Sequence, residues 1–286
     1  MINKNNINLR SKQFVMIFVA GFGQMSNNII QFGHYYAWGK ENGVKVIALR
    51  FCYKYTYFNI CKKLAYNWLT YILAKYLAKS KLIRTVEFLE EKEVNEYNKE
   101  LLKTKKWVLV KGWLLRDYGL FIKYKDEIKS LFSFKKKIET GIDAFMKPII
   151  KEGDINLGVH IRRGDYVRWE NGNYFFNDEF YIDLIKQFLL LFPNKKVNIF
   201  ISTNDKTLNV EFYREKLSNR IFIRNGNPAE DLCLLSKCDY LMGPPSTFSL
   251  MASFYRDLPL YWMKPKDNVI EKDSFRHFDY LFRHII

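Results

Sequence analysis

The sequence is poor in cysteine and has no long apolar run. Its four cysteines show neither the paired spacing of a zinc site nor the density of a secreted disulfide scaffold. We therefore predict free thiols in a reducing cytoplasm, at Cys52, Cys61, Cys233 and Cys238. The longest early apolar stretch, Phe14 to Phe22, is about half of what a bilayer span needs, and no charged leader with a cleavage site precedes it. A buried strand is the better interpretation of this stretch.

The sequence also lacks the loops of two large nucleotide-binding classes. Gly21 and Gly23 lie between a predicted strand and a predicted helix, where glycines permit close backbone approach to a ligand. No third glycine completes the dinucleotide fingerprint, and no lysine-serine phosphate loop is present. These absences exclude a Rossmann dehydrogenase and a P-loop kinase. No paired-aspartate motif or other metal-ligand constellation stands out, so we expect no metal site.

Acidic residues are scarce in the first half of the chain. The net charge is +16, and residues 1–150 carry 27 Lys and Arg against 12 acids, whereas residues 151–286 carry 19 against 18. Residues 50–84 hold eight of these basic residues, no acid and many aromatic and leucine side chains. Two interpretations stay open: a helix with a core-facing apolar stripe and a solvated lysine face, and a helix in peripheral contact with a membrane surface. No nucleic-acid-binding motif accompanies the segment, so we expect no nucleic acid partner.

Short β-rich runs alternate with helical patterns along the chain, which predicts the α/β class with parallel sheets. Pro148 and the polar KEGD turn after it predict a domain boundary, giving α/β domains at 1–150 and 151–286. Predicted strands lie at 14–20, 44–49, 107–112, 155–161, 197–203, 220–224, 239–243 and 258–262. Predicted helices lie at 27–42, 177–191, 207–218, 229–237 and 246–256. Ligands in such sheets bind beyond the carboxyl ends of the strands.

The most informative string, GVHIRRGDY, ends the first strand of the second half. Successive side chains of a strand point to opposite faces, so His160 and Arg162 point to the same face. Guanidinium groups are planar forked donors that suit phosphate oxygens, and the adjacent Arg162 and Arg163 would repel each other without an anion or carboxylate between them. Asp165 is placed to orient one arginine. A salt-bridge cluster without ligand is the structural alternative.

Two further segments follow strands in the second half. Prolines stop one strand, and Ser246 or Thr247 caps the helix that begins there, beside Phe248; the helix N-terminus is either an anion site or a cap without a ligand. Asp231 lies near the start of another helix. It is either a first-turn acid that complements the helix dipole or a carboxylate that accepts guanine N–H groups.

Three strings together resemble glycosyltransferase family 11, the α-1,2-fucosyltransferases: HIRRGDY, EDLCLLSKCDYLMGPPSTFSLMASFY and the N-terminal GQMSNNIIQF. The resemblance covers most of residues 14–256. It implies two Rossmann-like domains facing each other across a cleft, the GT-B arrangement, with an acceptor-side domain at 1–150 and a GDP-fucose-binding domain at 151–286. The N-terminal block departs from the family pattern Gly-x-Gly-Asn-Gln-x-Phe-Gln, since Asn27 and Asn28 follow Gly23 at a different spacing.

The resemblance also implies roles for single residues. His160 and Asp231 contact guanine, Arg162 or Arg163 holds the β-phosphate, and Ser246, Thr247 and Phe248 complete the donor loop. Gly23 and Asn27 are further donor-binding candidates. It further implies that transfer inverts the configuration at the sugar carbon and needs no metal. Glu170 is the first candidate for the general base and Asp165 the second.

The acceptor is predicted to be a glycan hydroxyl, and a lipid-linked oligosaccharide at the inner face of the membrane if residues 50–84 touch lipid. Two alternatives stay open beside a fucosyltransferase. One is a two-domain glycosyltransferase that uses another nucleotide sugar, and the other is a non-catalytic protein that binds anions or a membrane surface.

Overall fold

The computed structural model describes residues 15–88, 92–104, 106–217, 220–265 and 269–285. Phe14, in the first predicted strand, and Ser218, in a predicted helix, lie outside the described residues. Contacts divide the chain into two compact units. The first comprises the chain up to Thr56 and Ile60–Ile128, and the second comprises Tyr57–Asn59 and the chain from Lys129 onward. This division falls before the boundary expected at Pro148.

The first unit contains a parallel sheet with four strands among the described residues. They follow the order β2-β1-β4-β3 across the sheet. The strands are β1 (Met16–Val19), β2 (Lys45–Ala48), β3 (Arg84–Phe88) and β4 (Trp107–Gly112). Three of them confirm the prediction, but β3 lies outside the predicted strands. Val86 and Phe88 are buried and Glu87 between them is exposed, an alternation too short to stand out in the sequence.

The second unit contains a parallel sheet whose five described strands were all predicted. Their order is β7-β6-β5-β8-β9. The strands are β5 (Ile155–Ile161), β6 (Val197–Thr203), β7 (Ile221–Ile223), β8 (Tyr240–Gly243) and β9 (Leu260–Trp262). After β5 the chain adds β6 and β7 on one side of that strand, and it then crosses back to add β8 and β9 on the other side. This reversal opens a crevice at the carboxyl ends of β5 and β8, where doubly wound sheets bind ligands.

Helices and short 3₁₀ turns connect the strands. The helices are α1 (Met25–Asn42), α2 (Arg50–Tyr53), α3 (Trp68–Lys79), α4 (Lys92–Thr104), α5 (Tyr118–Lys123), α6 (Lys125–Leu131), α7 (Lys136–Met146), α8 (Asp178–Leu190), α9 (Val210–Lys216), α10 (Pro228–Ser236), α11 (Thr247–Arg256) and α12 (Phe278–Leu281). The 3₁₀ turns are Asn59–Lys62, Gly164–Val167, Trp169–Gly172, Lys272–Ser274 and Phe282–His284.

Helix α7 belongs to the second unit, which moves the contact-based division away from Pro148. Asparagine side chains cap α8 and α10, since Asn177 and Asn227 accept N–H groups of the first turn.

The basic segment 50–84 is not one helix. It forms α2, a 3₁₀ turn and α3, and it ends at the start of β3. In the part of the chain that the structure describes, no helix combines the length and apolar character needed to cross a bilayer. All four cysteines are free, as predicted, and three of them are buried.

A polar network closes the amino-terminal edge of the second sheet. Arg220 donates to the Asp154 carboxylate at 2.7 Å and also to Asn198. The Asn198 amide donates to Asn156 at 3.0 Å, and Asn156 donates through its backbone and side chain to Asp239 at 2.8 and 2.9 Å. These residues lie at or beside the starts of β5, β6, β7 and β8. The network therefore joins the four strands at the edge opposite the crevice.

Candidate functional site

The carboxyl ends of β5 and β8 bring two distant motifs together. His160, near the end of β5, is buried, and its ring centre lies 4.9 Å from that of Phe248 in α11. Gly243 at the end of β8 permits this approach. A Cβ atom on Gly243 would lie 2.8 Å from the His160 carbonyl oxygen and 3.0 Å from the His160 Cβ.

His160 is a neutral imidazole at physiological pH. Burial is the main cause that lowers its pKa from 6.5 to about 3, and the positive charge of Arg162 contributes to this shift. Its Nδ1 atom is buried and has no hydrogen-bond partner among the residues that the structure describes. Buried polar atoms in proteins are generally paired, so an orphaned ring nitrogen beside the crevice indicates a place for a ligand atom.

Arg162 forms a two-pronged ion pair with Asp165. Its Nε and Nη2 donate to the two carboxylate oxygens at 2.9 and 2.8 Å, which confirms that Asp165 orients one arginine. The guanidinium carbon lies 5.6 Å from the centre of the Tyr166 ring, within cation–π range. The Arg162 plane is therefore fixed before any ligand arrives.

Arg163 has a different environment from its neighbour. Its Nη1 donates to Asp205 at 3.1 Å, and its Nη2 donates to Asp178, which also accepts the Tyr213 hydroxyl at 2.6 Å. Its backbone N–H donates to the Asn204 side chain at 2.9 Å. Two carboxylates thus hold Arg163. The electrostatic repulsion expected between the adjacent Arg162 and Arg163 is offset because each arginine has its own carboxylate partners. This arrangement suits a structural role for Arg163 and leaves Arg162 as the better phosphate candidate.

The loop after β8 begins α11 as the sequence predicts. Ser246 is the N-cap, and its hydroxyl oxygen accepts the Phe248 N–H at 3.1 Å. Thr247 is the first helical residue. The Tyr166 hydroxyl donates to the Pro245 carbonyl at 2.5 Å, so the loop after β5 is tied to the loop after β8. The capping bond uses the Ser246 oxygen as acceptor and leaves its hydroxyl hydrogen as a donor.

Asp231 lies in the first turn of α10, where its carboxylate interacts with Ser202 of β6. Burial raises its pKa to about 6, and interaction with the Ser202 hydroxyl partly opposes this shift. Ser202 on β6 is buried and pairs in register with His160, so the two side chains project from the same face. The structure therefore groups His160, Ser202 and Asp231. Ser202 could not be predicted from the sequence, because a single serine in an apolar strand belongs to no motif.

Glu170 is exposed, in the 3₁₀ turn that follows the arginine motif. Its backbone lies in the left-handed region at φ 48° and ψ 43°, and Asn171 follows at φ 56°. A glutamate with this φ is uncommon, and such outliers concentrate at functional sites. Trp169 packs against the Tyr166 and Tyr174 rings, with centre distances of 4.6 and 5.2 Å, and anchors the turn.

Gly23 and Asn27 belong to the first unit, at the carboxyl end of β1. Gly21 and Gly23 have φ values of 89° and 60°, and a Cβ on Gly23 would lie 2.4 Å from the Asn27 amide nitrogen. Asn28 fixes this loop, since its side chain accepts the Phe22 N–H at 3.1 Å and donates to the Phe22 carbonyl at 2.9 Å. The glycines are thus required by the turn. Donor binding by Gly23 and Asn27 stays a prediction.

No group of three or more His, Cys, Asp or Glu side chains suited to a metal ion occurs within the described ranges. Arg162 and the amino end of α11 bring positive charge to the carboxyl ends of β5 and β8.

Comparison with known proteins decides the family. The family model described as "Glycosyl transferase family 11" matches residues 57–257, more than half of the chain and including both motifs around the crevice. The chain belongs to glycosyl transferase family 11. The N-terminal GQMSNNIIQF block precedes the matched residues. A search of curated proteins returns no match.

Solved structures share the fold of this family 11 chain at low sequence identity. An arginine-to-lysine mutant of Arabidopsis thaliana FUT1, in complex with GDP, has a TM-score of 0.63 at 11% identity and covers 94% of this chain and 75% of its own. The α-1,6-fucosyltransferase NodZ, soaked with GDP-fucose, has a TM-score of 0.59 at 13% identity, with coverages of 87% and 95%. NodZ has also been solved from Bradyrhizobium, with a TM-score of 0.58 at 12% identity and the same coverages. These likenesses establish a shared mixed α/β fold with parallel sheets.

Proposed function

We propose that this family 11 member is a fucosyltransferase that transfers fucose from GDP-fucose to a hydroxyl of a glycan acceptor. One observation carries the proposal. The oriented Arg162 fork, the orphaned His160 nitrogen and the start of α11 all lie at the carboxyl ends of β5 and β8. The neighbouring folds, whose bound molecules are GDP and GDP-fucose, support this choice of donor.

The donor diphosphate binds at the Arg162 guanidinium, which Asp165 orients, and at the amino end of α11. Negative charge grows on the β-phosphate as the bond to fucose breaks, and preorganised donors lower the barrier where they meet that charge. Arg162 and the Ser246 and Thr247 end of α11 supply these donors. Arg163 contributes indirectly, because it holds the loop in place through Asp178 and Asp205.

The guanine base binds beside His160, Ser202 and Asp231. An ionised carboxylate accepts two N–H groups, as the edge of guanine presents them, and the neutral His160 ring offers one further partner. Phe248, whose ring lies against His160, gives the pocket an apolar wall.

The acceptor hydroxyl attacks the fucose carbon with inversion as GDP leaves. Glu170 is the proposed general base, and Asp165 is the second candidate because its carboxylate already pairs with Arg162. The proposed arrangement is of the GT-B type, in which the N-terminal domain at 1–150 binds the acceptor and the C-terminal domain at 151–286 binds the donor. Gly23 and Asn27 are the proposed donor-binding residues of the N-terminal domain.

We propose transfer without a metal cofactor, since a guanidinium and a helix terminus supply the charge that a metal would otherwise provide. An α-1,2 linkage is proposed from the family resemblance. The α-1,6 specificity in the name of NodZ makes that linkage the second candidate. A cytoplasmic location is proposed from the four free cysteines, which are typical of a reducing compartment.

Calorimetric titration with GDP-fucose, GDP-mannose and UDP-sugars, in the presence of a chelator, tests the donor and the site together. We expect GDP-fucose to bind most tightly and Arg162→Ala to weaken it by about two orders of magnitude. Arg283→Ala, which removes an exposed arginine in a C-terminal turn, is the matched charge control and is expected to bind normally.

Tighter binding of another nucleotide sugar would replace GDP-fucose as the donor. Absence of any guanine-nucleotide binding would overturn the fucosyltransferase assignment. Equal losses in Arg162→Ala and Arg283→Ala would show a general charge effect instead of a site. Restoration of binding only on addition of a divalent metal would overturn metal-independent transfer.

A further inference from the structure

Helix α3 presents its apolar side chains to solvent. Ala74 is its one buried residue, and the half-buried residues on the same side are Thr70, Tyr71, Leu77 and Ala78. The opposite side is exposed, with exposed fractions of 60% for Trp68, 72% for Leu69, 37% for Ile72, 51% for Leu73 and 65% for Tyr76. These five positions recur at the spacing of one helix face. An ordinary surface helix turns its bulky apolar side chains to the core, whereas α3 exposes them to solvent.

Residues on either side of α3 extend this surface. Leu64 before the helix and Leu82 after it are 93% and 70% exposed. Exposed lysines accompany them at positions 62, 63, 75, 79 and 81, and no acid occurs between residues 50 and 84. We call the exposed side of α3 with Leu64, Leu82 and these lysines the basic apolar face.

An exposed apolar patch rimmed by charge is usual where a protein meets a partner or a membrane. Of the two interpretations that the sequence leaves open, the exposed apolar side chains of α3 favour the membrane-surface helix.

The chemistry of the basic apolar face selects its occupant. Two copies facing each other would oppose lysine to lysine, with no acid in the segment to pair them. Nucleic acid would satisfy the lysines but leave exposed Trp68, Leu69 and Leu73 without an apolar partner. An anionic membrane surface satisfies both, since leucines enter the acyl boundary, tryptophan and tyrosine prefer the headgroup level, and lysine stems extend to the phosphates.

We infer that the basic apolar face docks this protein on an anionic lipid surface. Helix α3 lies in the plane of the interface, because its twelve residues extend about 18 Å, too short to cross the hydrocarbon core. This inference goes beyond the proposed transfer reaction and does not depend on the identity of the donor.

Sedimentation of the full chain with vesicles tests the inference. The vesicles are phosphatidylcholine alone and phosphatidylcholine with phosphatidylglycerol. We expect binding to the mixed vesicles that weakens as salt rises. The double variants Leu69→Ser with Leu73→Ser, and Lys75→Glu with Lys79→Glu, are each expected to bind at least about tenfold more weakly.

Matched controls come from α8 in the second unit. Leu190 is 77% exposed, and Lys186 is exposed on the same helix, so Leu190→Ser with Lys186→Glu changes one exposed leucine and one exposed lysine away from the face. This control is expected to bind like the unmodified chain. Thermal melts and GDP-fucose titration of each variant show that folding and the donor site are intact.

Three results would overturn the inference. They are no preference for anionic vesicles, binding that the α3 variants leave unchanged, and a dimer in sedimentation equilibrium that the leucine variants dissociate. Absence of vesicle binding together with normal donor titration would overturn the inference about α3 and leave the proposed function unaffected. Normal vesicle binding without donor binding instead overturns the proposed function.

Discussion

The two edges of the second sheet use similar residues for different purposes. At the amino-terminal edge, Arg220 meets Asp154, and the asparagines of β5 and β6 bond to each other. At the carboxyl edge, Arg162 also meets an aspartate, yet the neighbouring His160 keeps a buried nitrogen without a hydrogen-bond partner in the described part of the chain. The Asp154 and Asp239 carboxylates of one edge are paired within the protein, whereas the buried His160 nitrogen at the other edge is available to a ligand.

The difference shows why an arginine-aspartate pair alone does not identify a site. Arg163 lies at the carboxyl edge, but Asp178 and Asp205 hold it much as Asp154 holds Arg220. What separates function from structure is the position of the pair at the switch point together with incomplete pairing nearby. Stability and activity should therefore respond separately to changes at the two edges.

The largest effect expected at the carboxyl edge is on turnover. Glu170→Gln removes the proposed general base and should lower kcat by about two orders of magnitude or more, with the unfolding free energy changed by less than about 0.5 kcal/mol because the side chain is exposed. Steady-state transfer assays and chemical denaturation measure the two quantities. Glu152→Gln, an exposed glutamate before β5, is the control. Full turnover in Glu170→Gln would move the base role to Asp165.

The amino-terminal edge should show the reverse response. Arg220→Ala leaves the buried Asp154 carboxylate without its charged partner, and we expect the unfolding free energy to fall by about 1–3 kcal/mol. Donor affinity and kcat of the folded fraction should not change. Urea denaturation and donor titration check this, with exposed Lys196→Ala as the control. A selective loss of donor affinity would break the distinction between the edges.

A smaller effect is expected from crowding at the carboxyl edge. Gly243→Ala places a Cβ against His160, so the strand end must shift and displace the ring from Phe248. We expect about tenfold weaker GDP-fucose binding, a free-energy change of about 1.4 kcal/mol. Gly141→Ala in α7 meets no atom within 4 Å and should bind donor normally. Unchanged affinity in Gly243→Ala would show that the ring position does not matter.

The sequence was sufficient to predict eight of the nine described strands and the strand ends near which candidate residues lie. Apolar runs predicted all five strands of the second sheet, because buried parallel strands read as continuous apolar segments. The motif spacing after β5 and β8 correctly placed His160, Arg162 and the Ser246 cap at the strand ends.

Other features depend on tertiary contacts that a single sequence does not reveal. The difference between Arg162 and Arg163 arises from Asp178, Asp205 and Asn204, which come from other elements. Ser202 joins the site only through its register with His160. The outward orientation of α3 is likewise invisible, since helical periodicity shows that one face is apolar but not which way it points.

A change of pH should separate ligand binding from stability at one residue, Asp231. The pKa of Asp231, raised to about 6, lies above the ordinary value of 3.8, so the folded state binds this proton more tightly than the unfolded chain. The Asp231 contribution to stability is therefore fully present below pH 3.8 and is lost as pH rises through about 6. Guanine recognition requires the ionised carboxylate, so GDP-fucose affinity should change in the opposite direction and fall by up to about tenfold per pH unit below 6. Titrations between pH 5 and 8 test this, and Asp231→Asn should remove the pH dependence. A dependence that persists in Asp231→Asn would assign the proton to another group and remove Asp231 from the guanine pocket.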